Sequence, residues 1–186
     1  MDIYQILVTH NRGWTFREAA YFTIIFLLAV MIFSLLLYGH KICVSQIVAG
    51  LLLLIFLAVV FASTVFTRDP GERQYQLEVF WSWKEILGIP PTGRLGATGT
   101  KTGLLEENIL NMILFFPAGV LLPFVMKRKM RWYQAVMVGV IISAGIEVSQ
   151  LLLCRGLFEW DDIIHNTLGC LIGSKVGNWI RRRYKI

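Results

Sequence analysis

Residues 141–170 read IISAGIEVSQLLLCRGLFEWDDIIHNTLGC. This stretch contains an apolar run that ends at Cys154, a short polar segment, and a second apolar run that begins at Ile163. The first run carries one carboxylate, Glu147. A carboxylate at the centre of a membrane helix costs about 2.5–3.5 kcal/mol on insertion scales, so Glu147 needs a partner, water or a proton. The stretch therefore predicts two membrane helices whose polar side chains gather on one side of the bilayer.

The rest of the chain extends this pattern. Of the 186 residues 56% are hydrophobic, and the mean hydropathy is +0.62, which a soluble domain of this length rarely reaches. Apolar runs of about 20 residues are long enough to cross the hydrocarbon core as helices. We predict an all-α integral membrane protein, a single domain over residues 1–186 with a bundle of about five transmembrane helices. The spans are expected at residues 19–38, 42–62, 108–126, 133–154 and 163–180, with a long outer loop at 63–107.

Basic residues are concentrated in the segments that this arrangement places on one side. Residues 39–41, 127–132 and 181–186 carry nine lysines or arginines and no acid, whereas the segments on the other side carry eight basic and eleven acidic residues. Because basic loops stay cytoplasmic, we predict an N-terminus outside and a C-terminus in the cytoplasm. The net charge of +6 is then a topology signal that also attracts anionic lipids. Membrane lipids are expected partners, and nucleic acid is not.

The outer loop contains an aromatic stretch at residues 75–83. Its apolar side chains alternate as in a strand, but an isolated strand at a membrane surface would leave its backbone unpaired. We therefore expect a short interfacial segment with Trp81 and Trp83 at the level of the lipid headgroups. A lid over the polar residues is the alternative. Residues 90–103 are predicted to form a flexible linker rich in Gly and Thr.

Polar side chains from three spans are predicted to meet at the outer side. Gln150 lies one turn after Glu147 and shares its helix face, and Arg155 can fold its long stem back toward that carboxylate. Asp162 and Asn166 are also one turn apart on the last span. The candidate site consists of Glu107, Asn111, Glu147, Gln150, Arg155, Asp161, Asp162, His165 and Asn166.

Two sequence features concern helix packing. Pro117 and Pro123 predict a kink or a local opening in the third span. A stripe of small residues on the last span is formed by Gly169, Gly173 and Gly177. Such a stripe permits close helix contact and is expected to draw Asn166 against a neighbouring helix, the one that carries Glu147 being the favoured partner.

Signatures of metal or nucleophile chemistry are weak. The acids near His165 offer oxygen and imidazole ligands, but their spacing matches neither a calcium loop nor HExxH. Asp161 and Asp162 also suit the first turn of a helix without any ligand. The three cysteines form neither a disulfide framework nor a CxxC pair. We predict no metal and no cofactor, and the residues by themselves define no reaction.

Several of these motifs, in this order, resemble those of the VanZ-like family of small bacterial membrane proteins. The matching pieces are Asn111 with FFPAG at residues 115–119, Glu147-x-x-Gln150, and Arg155 through Asp161-Asp162 to Asn166, Gly169 and Gly173. The aromatic residues 77–82 also look like the family's stretch ahead of that asparagine. The resemblance covers about residues 40–180. Arg155 sits one residue earlier than is usual, and Glu159 stands where aspartate is commoner.

The resemblance implies a multi-pass protein of the bacterial cell membrane. The founding member is associated with resistance to the glycopeptide teicoplanin, by a route that leaves the end of the peptidoglycan precursor unchanged. The first interpretation is a binding or modulating protein that recognises a lipid, a lipid-linked cell-wall precursor or a glycopeptide, with Arg155 meeting an anionic group. An enzyme that uses Glu147 or Asp162 as a general base is the second. A structural scaffold is the third.

Overall fold

The computed structural model describes residues 20, 23, 24, 26–28, 30, 31, 43–66, 68, 71–89 and 100–184. The helices with described bounds are α1 (Val44–Phe61), α2 (Trp81–Leu87), α3 (Lys101–Val125), α4 (Trp132–Leu153) and α5 (Trp160–Tyr184), and a π-helical turn at Ala62–Phe66 extends α1. Two strands of three residues are β1 (Gln74–Gln76) and β2 (Leu157–Glu159). The prediction of an all-α fold is confirmed.

Among the described residues, three helices are long and apolar enough to cross a membrane, at Val44–Val65, Lys101–Val125 and Trp132–Leu153. They correspond to the second, third and fourth predicted spans. The first predicted span lies in large part outside the described residues, and its described positions between residues 20 and 31 are helical. The fifth forms α5, which is helical but less apolar because its buried face is rich in glycines and polar side chains and its last turn carries three arginines. The total of five spans stays a prediction.

The N-terminal end of α3 differs from the prediction. The helix begins at Lys101 and not at Asn108, because the side-chain oxygen of Thr100 accepts a hydrogen bond of 3.2 Å from the backbone N–H of Gly103 and so caps the helix. Hydrophobicity marks where a helix enters the hydrocarbon core, whereas capping marks where the helix begins. The last residues of the predicted linker are therefore helical, and residues 90–99 lie outside the described part.

Helix α3 runs without a break through Pro117 and Pro123, so the predicted local opening is wrong, and the predicted kink stays a prediction. Prolines are tolerated within membrane helices where neighbouring groups satisfy the freed backbone. Two neighbours bind backbone carbonyls near the end of α3: Arg181 donates to the carbonyl of Pro123 over 2.8 Å, and Gln46 donates to that of Val125 over 3.0 Å. These bonds join the end of α3 to α5 and α1.

The most extensive helix contact among the described residues joins α3 and α5. A Cβ atom on Gly169, Gly173 or Gly177 would collide with the backbone of α3, at Met112, Phe116 and Val120 respectively. The stripe therefore packs on α3 and not on the helix that carries Glu147. The part of the prediction that concerns Asn166 is confirmed, since its side-chain amide donates a 2.9 Å hydrogen bond to the hydroxyl of Ser143 on α4. Helix α5 is thus packed against both α3 and α4.

A small parallel sheet ties the loop after α1 to the connection between α4 and α5. Gln74, Tyr75 and Gln76 pair with Leu157, Phe158 and Glu159. Residues 77–83, whose apolar side chains alternate as in a strand, form none: β1 ends at Gln76, and α2 begins at Trp81. Trp81 is only 7% exposed, so the prediction that it anchors in the lipid headgroups is wrong. The aromatic stretch folds back onto the helices through α2.

Candidate functional site

Asp161 fastens α2 to the bundle. Its carboxylate is 1% exposed and accepts hydrogen bonds from the backbone N–H groups of Phe80 (2.5 Å) and Ser82 (3.0 Å) and from the Ser82 hydroxyl (2.5 Å). The Asn108 amide on α3 donates to the same hydroxyl over 3.1 Å. Free N–H groups at a helix N-terminus favour an anionic acceptor. Asp161 therefore acts as a cap supplied by another helix, and it joins α2, α3 and α5.

His165 is a second anchor of α2. The indole N–H of Trp83 donates to Nε2 of His165 over 2.8 Å, and the imidazole is 1% exposed. Because an indole can only donate, Nε2 must be the unprotonated nitrogen, which leaves the proton of the neutral ring on Nδ1. His165 and Asp161, both predicted site residues, therefore hold the aromatic segment in place.

Four acids lie close together beside these anchors, and we call Glu107, Glu147, Glu159 and Asp162 the carboxylate cluster. Glu147 is 1% exposed, and its Oε2 accepts a hydrogen bond of 3.0 Å from the backbone N–H of Glu159. Asp162 accepts a 2.7 Å bond from the Asn111 amide and lies close enough to Glu147 to repel its charge. The start of α3, the end of α4 and the start of α5 thus bring their acids to one end of the bundle.

Glu159 shows the electrostatic effect of this arrangement. The pKa of Glu159 rises from its ordinary value of 4.5 to about 8. Burial is the largest cause of this rise, and repulsion by Asp162 and Glu107 adds to it. A carboxyl group with such a pKa keeps its proton at neutral pH. The cluster can therefore hold and release a proton under physiological conditions.

We expect the stability of the protein to fall as the pH rises. Because folding raises the pKa of Glu159, the folded state binds more protons than the unfolded state between pH 4.5 and about 8, and stability is lost across that window. Thermal unfolding of the purified protein in detergent, followed from pH 4.5 to 9, measures this loss. Glu159→Gln should flatten the profile, whereas Glu106→Gln, at an exposed position on α3, should leave it unchanged. An equally steep profile in Glu159→Gln would contradict the assignment.

Arg68 is the cation that sequence reasoning missed. It lies close enough to Glu147 and Asp162 to attract both carboxylates. Its Nη1 approaches Gly156, where the backbone has a φ of +135° and where an added Cβ would stand 2.6 Å from that nitrogen. Glycine is therefore favoured at this position for its conformation, and a larger residue would also displace the Arg68 guanidinium. The only sequence signal was an arginine shortly after the second apolar run, in a loop that carries several other charges.

Arg155 supports Arg68. It is 3% exposed and donates from Nη1 to the backbone carbonyl of Arg68 over 2.9 Å. Its own backbone N–H donates to the carbonyl of Gln150 over 2.8 Å. Arg155 thus holds the loop that carries Arg68, and its buried guanidinium is directed toward backbone rather than toward solvent.

Gln150 and Asn166 border the cluster and retain acceptor capacity. The Gln150 amide donates to the carbonyl of Thr64 over 3.2 Å, while its Oε1 is buried without a hydrogen-bond donor among the described residues. The Oδ1 of Asn166 is likewise buried without one in the same part of the chain. Buried acceptors without donors are costly, so each can take a further donor group.

The nine predicted residues therefore divide by role. Glu107, Asn111, Glu147 and Asp162 belong to the carboxylate cluster or contact it, Asp161 and His165 fasten α2, and Gln150, Arg155 and Asn166 border the site. The added contributors are Arg68, Ser82, Trp83, Asn108 and Glu159. Within the described ranges, no three His, Cys, Asp or Glu side chains are arranged to hold a metal ion.

Comparison with known proteins identifies one family. Residues 47–181 match the family model described as VanZ/LLP1. That range covers most of the chain and includes Arg68 and all nine predicted site residues. No curated protein and no solved structure matches the chain.

Proposed function

The chain belongs to the VanZ/LLP1 family, and from this premise we propose that it modulates the bacterial cell envelope by binding a lipid or lipid-linked headgroup at its polar site. The proposed location is the cell membrane, with the N-terminus outside, the C-terminus in the cytoplasm and the polar site facing outward. Susceptibility to the glycopeptide teicoplanin is the phenotype through which this activity is expected to appear. The ligand is proposed to be a membrane lipid, a lipid-linked cell-wall precursor or the glycopeptide itself.

The observation that carries this proposal is the juxtaposition of Arg68 with the carboxylate cluster at one end of the bundle. A guanidinium recognises phosphate oxygens, and carboxylates recognise ammonium and hydroxyl groups. A headgroup that carries both kinds of group therefore fits this charge pattern. The acceptors on Gln150 and Asn166 add capacity for donor groups of such a ligand.

An enzyme is the second candidate function. Glu159, with its pKa raised to about 8, suggests that the carboxylate cluster exchanges protons near neutral pH, which is the property required of a general acid or base. In this alternative Glu147 or Asp162 takes a proton from the substrate. Incubation of the purified protein with a lipid-linked cell-wall precursor, followed by mass spectrometry of the lipid, distinguishes turnover from binding.

Glu147→Gln tests the proposed function. The substitution keeps the shape of the side chain and an oxygen that can accept from the Glu159 N–H, but it removes the ionisable carboxyl group. In a teicoplanin-sensitive Gram-positive host, we expect the wild type to raise the inhibitory concentration. The variant should lower it to that of the empty vector while accumulating normally in the membrane.

The matched control is Glu106→Gln, an identical change one residue before the cluster at an exposed position. It should protect as well as the wild type. Full protection by Glu147→Gln would contradict the proposal. A fall in protein level that parallels the loss of protection would support the scaffold interpretation instead.

A further inference from the structure

A cavity opens at the end of the bundle opposite the carboxylate cluster. It has a volume of about 650 Å³ and lies between the α3–α4 turn and the last turns of α5. The residues that line it are Lys129, Lys175, Asn178, Trp179, Arg181 and Arg182. Four of the six are cations, and none of these lining residues is acidic.

The walls of this cavity are held by specific hydrogen bonds. The Asn178 side chain accepts from the N–H of Met130 over 2.9 Å and donates to the carbonyl of the same residue over 2.8 Å. Arg181 donates to the carbonyl of Pro123 over 2.8 Å. The end of α5 is thereby fixed against both the α3–α4 turn and the end of α3. These bonds fix the position of the helix end that carries Lys175, Arg181 and Arg182.

The positive charge of the residues that line the cavity favours an anionic ligand. Like charges that converge on one space repel each other, and a bound anion relieves this repulsion. Lysine and arginine together form charge-assisted hydrogen bonds with phosphate oxygens. Trp179, which is 63% exposed, has the amphipathic ring that settles at the level of lipid headgroups.

One face of α5 connects this cavity to an apolar surface. Leu168, Ile172, Lys175, Trp179 and Arg182 follow one another at alternating intervals of four and three residues, so they share a face of the helix. Leu168 is 41% and Ile172 49% exposed, and they lie on the side of the cavity that leads toward the middle of the bundle. A ligand with an anionic headgroup and an aliphatic tail fits this face, because the headgroup would meet the cationic residues and the tail would lie along the apolar ones. A free phosphate ion would use only the cationic half.

We propose that this cavity binds the phosphate-diester headgroup of an anionic phospholipid, whose acyl chain lies along the exposed apolar face of α5. Lys129, Lys175 and Arg182 contact the phosphate, and the Trp179 ring packs beside the glycerol. This site is separate from the carboxylate cluster, and it would stand whether or not the proposed function is right.

The test is native mass spectrometry of the purified full chain in detergent, titrated with dioleoyl phosphatidylglycerol. Lys175→Gln combined with Arg182→Gln removes two lining charges, and we expect the first bound lipid to be weakened by about tenfold or more. The matched control combines Arg128→Gln with Arg183→Gln, which removes two exposed charges that do not line the cavity. The control should bind as the wild type does. Thermal unfolding without lipid should be the same for all three proteins.

Two further titrations distinguish a phospholipid headgroup from free phosphate as the ligand of the cavity. Dioleoyl phosphatidylcholine, which carries no net charge, should bind at least about tenfold more weakly to the wild type than phosphatidylglycerol does. Inorganic phosphate at the same concentrations should neither raise the melting temperature nor displace the lipid. Equal affinity of the two double variants for phosphatidylglycerol would overturn the site. Displacement of the lipid by inorganic phosphate would overturn its assignment to a lipid.

Discussion

Replacement of Gly173 by leucine is expected to prevent α5 from docking on α3. An added Cβ at Gly173 would collide with the carbonyl oxygen of Phe116, and it would stand 2.9 Å from the backbone nitrogen of Val120 and 3.1 Å from the Cα of Gly119. These are backbone atoms of a helix, so they cannot move aside as a flexible side chain could. Overpacking by itself costs about 1–3 kcal/mol, and here the two helices must also separate, so we expect the larger value or more.

The measurement is the amount of protein that elutes as a monodisperse peak in detergent, together with its melting temperature. Gly145→Leu is the matched control, because nothing lies within 4 Å of a Cβ at that position on α4. It introduces the same side chain into a helix and should elute normally. Gly173→Ala should fall between the two. Equal stability of Gly173→Leu and Gly145→Leu would show that α5 and α3 do not pack as closely as described.

Asp161→Ala is expected to release α2 from the bundle. The substitution leaves the N–H groups of Phe80 and Ser82 and the Ser82 hydroxyl without their acceptor. Hydrogen bonds to a charged group contribute about 1.5–3 kcal/mol each, and their effects are not additive, so we expect a loss of about 3–5 kcal/mol. Asp161→Asn should also destabilise, because an amide nitrogen would replace one of the two acceptor oxygens.

Hydrogen–deuterium exchange tests this prediction, because it shows which residues of the chain lose protection. Exchange at residues 80–87 should rise sharply in Asp161→Ala while α4 stays protected. The control is Lys84→Ala, which breaks a partly exposed ion pair between Lys84 and Glu78 and should change stability by at most about 1 kcal/mol. Unchanged exchange at Phe80 and Ser82 would contradict the role assigned to Asp161.

The two largest expected effects concern two residues of the same matching segment, Gly173 and Asp161, which have different roles. Gly119 of the FFPAG motif lies against the backbone of Cys170, and Phe115 and Ala118 are at most 1% exposed, so this motif serves the contact between α3 and α5. Asp161 belongs to the polar end, where it holds α2. The matching residues therefore include some that assemble the bundle and some that shape the site.

Several contacts within the site could be predicted from the sequence. Asn111 and Asp162 were both predicted site residues, and they bond directly. Asn166 was expected to contact the helix that carries Glu147, and its partner Ser143 lies there. These side chains are polar interruptions of apolar runs, and in a membrane such groups must satisfy one another. That requirement makes them predictable.

Other contacts had no local signal. Ser82 and Asp161 are 79 positions apart, and Trp83 and His165 are 82 apart. The same kind of separation hid the pairing of β1 with β2. Ser82, Trp83 and Arg68 lie in a long polar loop, and no local sequence pattern predicts their contacts, because their partners lie far away in the chain.

The sequence alone determined the helical membrane fold, the approximate positions of the second to fourth spans and the polar character of one end of the bundle. It could do so because the bilayer allows few backbone conformations and penalises each unpaired polar group. Tertiary structure decided which residues surround Glu147, that Arg155 supports the loop of Arg68, and that the glycine stripe packs on α3. These outcomes depend on contacts between segments far apart in the chain, and the hydrophobic pattern of one segment does not specify which surface of another it will meet.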